Sequence, residues 1–262
     1  MADQTHTAAE MMTIAAARRL RNDMVCFVGI GLPSAAANLA RLTHAPDVVL
    51  IYESGTIGAK PSILPLSIGD GELAEAADAL VSVPEIFRYW LQGGRIHVGF
   101  LGAAQVDRFG NLNSTVIGDY NKPKTRLPGA GGAPEIASAA GETWIVLRQT
   151  PRSFVAKLDF ITSGGHLTGG DSRARSGARG KGPTAVITDH GILEPDPETK
   201  ELRLTWLHPG IDVEAVKAAT GWPLKVSESL RQTPPPTAAE LAALRDLQAR
   251  SAKAHGATAA DA

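Results

Sequence analysis

Residues 24–55 read MVCFVGIGLPSAAANLARLTHAPDVVLIYESG, and the expected architecture follows from this stretch. Met24 to Val28 are uniformly apolar and partly β-branched, the pattern of a strand buried on both faces. Gly29-Ile30-Gly31-Leu32-Pro33 then turns the chain. Residues 34–43 follow as a helix, with Ser34 as its expected N-cap. Residues 47–52 (DVVLIY) form a second buried strand that ends at Glu53-Ser54-Gly55. Strand, glycine turn, helix and strand in succession is the grammar of an open parallel sheet, so an α/β fold is expected.

Upstream, residues 7–22 carry a helical period, and Thr7 with Glu10 makes a capping box. Downstream the alternation continues less cleanly. The pattern predicts a helix over 84–92, strands over 95–101, 111–117, 144–149 and 154–161, and a helix starting at 135. Residues 163–183 are a Gly/Ser/Arg-rich loop without periodicity. Residues 184–193 and 201–207 resemble a hairpin with PDPETK as its turn, and 212–219 a helix. Pro234-Pro235-Pro236 is expected to end a compact domain over 1–233. Residues 234–262 are then a C-terminal helix (237–255) and a fraying GATAADA tail.

Of the 262 residues, 26 are Lys or Arg and 27 Asp or Glu, for a net charge of −1. That balance argues against nucleic acid or an anionic membrane as partner. Hydrophobic residues at 44% and charged residues at 20% are globular proportions, and aromatics at 5% are too few for a single-strand stacking platform. One cysteine, Cys26, excludes an intramolecular disulfide and a multi-cysteine zinc cluster; in its apolar strand it reads as a core residue. The 7 histidines show no metal-ligand spacing, so no metal is expected. No apolar run approaches membrane-spanning length and no secretory leader is evident, which makes a cytoplasmic protein the expectation.

Several segments can carry chemistry. Glu53 stands at the C-terminal end of a strand, where open α/β sheets place their ligands. It reads as a nucleophile or general base, with Gly55 leaving room for a substrate beside the backbone, or as a solvated strand-end charge. Gly129-Ala130-Gly131-Gly132-Ala133-Pro134 precedes a helix and can aim N–H groups at an anion, or is a flexible turn. Gly29-Ile30-Gly31-Leu32-Pro33-Ser34 is an imperfect dinucleotide fingerprint, with Glu53 at the distance of a ribose-binding acid, so nucleotide binding is a rival reading. Asn111, Asn113, Ser114 and Asp119 form a polar cluster that reads as turn structure or as part of a site. Arg173, Arg175, Arg179 and Lys181 read as a solvated basic loop or a contact for a phosphate-bearing ligand.

Taken together, these segments resemble the β subunit of family I CoA-transferases, most closely the branch of the glutaconate CoA-transferase B-subunit. The matching stretches are VGIGLP (28–33), APD and a strand leading to ESG (45–55), GAAQVDRFGNLNSTVIGDYNKPKTRLPGAGGA (102–133), KLDFITS (157–163) and VITDHGIL (186–193). The resemblance implies an open, mostly parallel sheet of the CoA-transferase/ribose-5-phosphate isomerase-like type, with helices on both faces. It implies an α-subunit partner in an α2β2 assembly, a coenzyme A thioester as substrate and no permanently bound cofactor. It casts Glu53 as the catalytic nucleophile of a ping-pong transfer between carboxylic acids, through a glutamyl-CoA thioester. Gly131, Gly132 and Ala133 become the oxyanion or CoA-binding backbone, and Gly29, Gly31, Ser54, Gly55 and Asn113 a substrate pocket. The family's common Ser-Glu-Asn-Gly reads Tyr52-Glu53-Ser54-Gly55 here, as in glutaconate-type members. Thr56 to Lys60 and the arginine-rich loop differ from the glutaconate enzyme, which argues for another acid. A related branch that hydrolyses a carbocyclic CoA thioester lacks the glutamate, so Glu53 favours transfer. A hydrolase subunit and a non-catalytic acyl-CoA-binding subunit are the alternatives.

Overall fold

The structure is a computed structural model and describes residues 5–256. The tail expected to fray lies, from Ala257 onward, outside the described residues. The chain divides into two compact units, Met1–Trp90 with Pro235–Ala262, and Leu91–Pro234. This differs from the expected 1–233 domain with an appended helix: the C-terminal helix belongs to the first unit.

In that unit, α1 (Ala8–Ala17) starts at the expected capping box, Thr7 Oγ1 accepting from the Glu10 N–H (3.1 Å) and Glu10 from the Thr7 N–H (2.7 Å). β1 (Val25–Phe27), α2 (Leu32–Leu42) and β2 (Val49–Ile51) realise the strand-helix-strand reading. β1 and β2 are parallel, with Val25 opposite Val49 and Phe27 opposite Ile51. Ser34 is not the N-cap of α2. Gly31 holds that position at φ +79°, and Ser34 is buried one turn inside. β3 (Thr56–Ile57), α3 (Gly71–Glu75) and β4 (Ala79–Leu80) follow, β3 antiparallel to both β2 and β4. α4 (Val83–Glu85), with Pro84 in its first turn, leads into a π-helical turn over Ile86–Leu91.

The second unit forms β5 (Val98–Leu101), a ladder of β6 (Gln105–Val106) with β7 (Leu112–Asn113), and a ladder of β8 (Val116–Gly118) with β9 (Pro123–Arg126). α5 (Ala133–Ala139), β10 (Glu142–Val146), α6 (Ser172–Arg175), β11 (Pro183–Ile187), β12 (Gly191–Pro195), β13 (Leu202–Leu207), α7 (Val213–Ala218) and β14 (Lys225–Gln232) complete it. β5, β10 and β11 are parallel, and their apolar residues form the core. β12 and β13 continue antiparallel, and β14 returns parallel to β13. The expected open α/β sheet is therefore present, and the strands that read as apolar, β1 with β2 and β5 with β10, are among its parallel pairs.

The strand predicted over 111–117 is split into β7 and β8, two further predictions along this unit change, and one strand is not predicted. Residues 154–161 form no strand: Phe154 makes a single bridge to Val106 and stacks on Trp222 at 5.8 Å, so the apolar residues anchor a packed loop. Residues 184–193 are two strands, because the Thr188 hydroxyl accepts the His190 and Gly191 N–H groups and closes a turn. PDPETK joins β12 to β13. β14 escapes the reading because KVSESLRQ lies at the sheet edge, mostly exposed, and carries no buried-strand pattern.

α8 (Ala238–Ala254) is held to α1 by two forked ion pairs. Arg18 grips both oxygens of Glu240 at 2.7 Å, and Arg245 grips Glu10 at 2.6 and 3.1 Å. No helix among the described residues is long and apolar enough to cross a membrane. Partial burial pushes the Glu240 carboxyl up, but the Arg18 guanidinium and the Thr237 N–H and hydroxyl outweigh it and hold the pKa at about 2. A depressed carboxylate stabilises the fold above its unfolded pKa of 4.5 and stops doing so as the pH falls toward 2. Glu240→Gln is expected to cost about 1 kcal/mol at pH 7, after allowance for solvent screening. The gap to the parent protein in urea titrations should close between pH 4.5 and 2.

Candidate active site

β2 ends at Ile51, and the chain reverses at once into β3. The Tyr52 N–H donates to the Thr56 carbonyl and the Gly55 N–H to the Tyr52 carbonyl, both at 3.1 Å. Glu53-Ser54-Gly55 is thus a three-residue hairpin loop, a type that requires a left-handed third residue; Gly55 supplies it at φ +110°. The Glu53 side chain is half-buried and makes no hydrogen bond or ion pair among the described residues. Next to it, the Ser54 Oγ and Thr56 Oγ1 are buried without a hydrogen-bond partner. Unsatisfied hydroxyls beside an unpaired carboxylate are costly in a finished core and are expected where a ligand or another chain completes the bonding.

Gly55 has another role than the one read from sequence. A Cβ built there would lie 1.9 Å from the Val81 carbonyl oxygen, and the Val81 N–H donates to the Gly55 carbonyl at 2.9 Å. The backbone that needs the missing side chain is the chain's own, not a substrate's. Gly29 and Gly31 follow β1, so they share with Glu53 the C-terminal edge of the parallel pair β1/β2. Nothing lies within 4 Å of a Cβ built on Gly31, which keeps that edge open.

Tyr52 anchors the loop from below. Its ring is fully buried, and its hydroxyl meets Ser34 Oγ at 3.0 Å and Asn38 Nδ2 at 3.3 Å. Burial raises its pKa, while the bonds to Ser34 and Asn38 oppose the rise, so the phenol is neutral. In the sequence Ser34 reads only as a helix cap or fingerprint position and Tyr52 only as the residue before the acid, and Asn38 does not stand out at all. The available signal is two polar groups, Ser34 and Asn38, four residues apart in an otherwise alanine-rich helix face.

The other predicted residues lie in the second unit. Gly131 is left-handed at φ +50° and Gly132 right-handed at φ −83°, an alternation that turns successive N–H groups toward one point. No partner for either N–H is found among the described residues. Ala133 differs: its N–H is spent on the Ala130 carbonyl at 3.0 Å. The asparagine stretch builds the support for this loop. Ser114 holds Gly129 from both sides, its carbonyl accepting the Gly129 N–H at 2.9 Å and its hydroxyl donating to the Gly129 carbonyl at 2.8 Å. Asn113, placed in the substrate pocket by resemblance, is fully buried. It donates to Gln105 and to the Val116 carbonyl and accepts from the Thr115 and Val116 N–H groups, which leaves nothing for a ligand. Asn111 is likewise saturated by Asp107, Gly165 and Leu167.

Arg173 is not part of a solvated basic run. It is buried, and its guanidinium donates to the carbonyls of Ala137, Gly164, Gly165, Arg179 and Gly180, so it pins the glycine-rich loop and is unavailable to a phosphate. Cys26 is fully buried, and burial drives its thiol pKa up, as an unreactive core residue requires.

Gly55→Ala is expected to lower stability by at least about 2 kcal/mol, from left-handed strain plus collision with Val81. Gly31→Ala carries the strain without the collision and is expected to cost about half as much. Denaturant titration of the two variants measures the difference.

Comparison with known proteins places the chain among its relatives. Residues 9–219 match the family model described as Coenzyme A transferase. The chain is 66% identical to the B-subunit of 3-oxoadipate CoA-transferase of Pseudomonas knackmussii, covering 96% of each chain. It is 39% identical to the B-subunit of glutaconate CoA-transferase of Acidaminococcus fermentans, covering 92% of this chain and 93% of the relative. The crystal structure of glutaconate coenzyme A-transferase from Acidaminococcus fermentans superimposes with a TM-score of 0.86 at 35% identity, over 92% of this chain and 94% of that one. On the matched fold, the matched length and these identities, this chain belongs to the coenzyme A transferase family.

Proposed function

We propose that this chain is the catalytic β subunit of a CoA-transferase that works with an α subunit, in an α2β2 assembly, and moves CoA between carboxylic acids through Glu53. The observation that carries this reading is the unpaired Glu53 carboxylate in a rigid three-residue loop at the C-terminal edge of β2. A carboxylate is a weak nucleophile. One without a neighbouring cation or hydrogen-bond donor keeps all of its electron density for attack.

A Glu53 oxygen attacks the thioester carbonyl of the donor acyl-CoA, and the tetrahedral adduct expels CoA thiolate to leave an acyl-glutamyl anhydride. The thiolate attacks the Glu53 carbonyl, forms the glutamyl-CoA thioester and releases the donor acid as its carboxylate. An acceptor carboxylate attacks that thioester and displaces the thiolate. The thiolate then attacks the acceptor's acyl carbonyl, and Glu53 leaves as a free carboxylate. The thioester bond energy is conserved at each exchange, so no nucleotide is consumed. Each attack creates an oxyanion that needs donors, and the Gly131 and Gly132 N–H pair is the group of this chain suited to it. Ala133 contributes loop shape, its N–H being occupied. Ser54, with its unpartnered hydroxyl, and Gly29 and Gly31 on the same edge line the acyl or pantetheine pocket. The substrate acid we assign is 3-oxoadipate, supported by 66% identity to a relative named for it against 39% for the relative named for glutaconate.

The test uses the chain purified together with its α subunit and 3-oxoadipyl-CoA as donor. Hydroxylamine added during turnover should convert Glu53 to its hydroxamate, seen by peptide mass spectrometry. Glu53→Gln should lower the transfer rate by several orders of magnitude, as loss of a covalent nucleophile does elsewhere. Turnover without any acceptor acid would point to a hydrolase, and an E53Q complex that transfers CoA at the parent rate would end the proposal.

A further inference from the structure

The chain around Glu53 is tied to a single helix, α2, at Tyr52 just before the hairpin loop and at Pro61 four residues past β3. On the near side, the Tyr52 hydroxyl meets Ser34 Oγ (3.0 Å) and accepts from Asn38 Nδ2 (3.3 Å). On the far side, Arg41 Nη2 donates to the Pro61 carbonyl at 2.8 Å. The two sides are joined through one amide. The Asn38 Oδ1 accepts both Arg41 Nε and Nη2 at 3.3 Å, while its Nδ2 also donates to the Ser34 carbonyl at 3.0 Å. Ser34, Asn38 and Tyr52 are all fully buried. Between Tyr52 and Pro61 the chain makes the Glu53 turn, β3 and the Gly58 turn, and the Ala59 N–H returns to the Leu50 carbonyl at 3.1 Å.

This network is costly to build for stability alone. Apolar residues at 34, 38 and 52 would fill the same space with no buried polar group to satisfy. A polar chain of fixed geometry gives something apolar packing does not: it sets the direction of the chain at Tyr52, from which the Glu53 side chain departs one residue later. Attack on a thioester carbonyl tolerates little misplacement, and an error of about 1 Å can cost on the order of a hundredfold in rate.

We infer that Tyr52, Asn38 and Arg41 are positioning residues that aim the Glu53 carboxylate, acting through the Tyr52 hydroxyl before the loop and the Pro61 carbonyl beyond β3. The inference rests on the reading of Glu53 as nucleophile. Tyr52→Phe is the deciding variant, because it removes one oxygen and leaves Asn38 its bond to the Ser34 carbonyl. In the complex with the α subunit, 3-oxoadipyl-CoA is added without acceptor acid, and the rate of covalent adduct formation on the chain is followed by quenched-flow mass spectrometry. Steady-state kcat and KM are measured beside it. Y52F is expected to slow adduct formation and kcat on the order of tenfold, and Asn38→Ala by up to about a hundredfold, with KM for the donor and the yield of assembled complex unchanged. The double variant should be no slower than N38A alone, because both act through one chain of contacts.

Adduct formation by Y52F within about twofold of the parent rate overturns the inference. So does a loss confined to KM, a loss that tracks unassembled protein, or independent losses in the double variant. If Glu53→Gln still forms the adduct, the nucleophile reading itself fails. If E53Q forms none while Y52F matches the parent protein, only the positioning role fails.

Discussion

The structure turns on the contact between Gly55 and the Val81 carbonyl. β2 must reverse immediately after Ile51, and only a glycine at the third loop position accepts φ +110° with a carbonyl occupying its Cβ space. That constraint leaves Glu53 at the first loop position, with its backbone committed to the hairpin and its side chain to nothing. A longer loop would let the carboxylate find a donor. A three-residue loop holds it away from one. The proposed chemistry depends on this enforced lack of partners, since a carboxylate in an ion pair is a poorer nucleophile.

The polar residues of the chain divide by how fully they are bonded. Asn111, Asn113 and Arg173 are buried and saturated; Asn111 and Arg173 fix the glycine-rich segment around Gly164 and Gly165, and Asn113 ties Gln105 to the Thr115–Val116 turn. The Ser54 and Thr56 hydroxyls are buried with bonds unmade. Buried groups are nearly always satisfied, so the two unpartnered hydroxyls beside Glu53 are where a ligand or another chain is expected to complete the bonding. By that criterion Asn111 and Asn113 are scaffold.

The fold is most legible from sequence where one local pattern admits one structure. Five apolar residues, a glycine turn and a second apolar run are compatible with little besides parallel strands around a helix, and β1 and β2 pair as that pattern requires. The capping box at Thr7 is legible for the same reason, its two partners lying three residues apart. Legibility fails where a residue's partner is distant along the chain. Phe154 has strand composition but is drawn into a loop by Trp222, and β14 has surface composition but is a strand because β13 offers it an edge. A serine before a helical run usually caps it, and nothing local to Ser34 shows its bond to Tyr52, 18 residues on.

The chemistry was written in the order of residues: an acid at the end of a buried strand, glycines after it, and a family likeness that casts that acid as the nucleophile. Folding alone settled which groups are free to act. Gly55 accommodates Val81, Asn113 is spent on its neighbours, and Arg173 is wrapped in carbonyls, while Tyr52, Asn38 and Arg41 emerge as the brace behind Glu53. The reason is that a hydrogen bond consumes a group's capacity regardless of how far along the chain its partner lies. Residue type states what a side chain can do, and only the folded chain states what it has left to do it with.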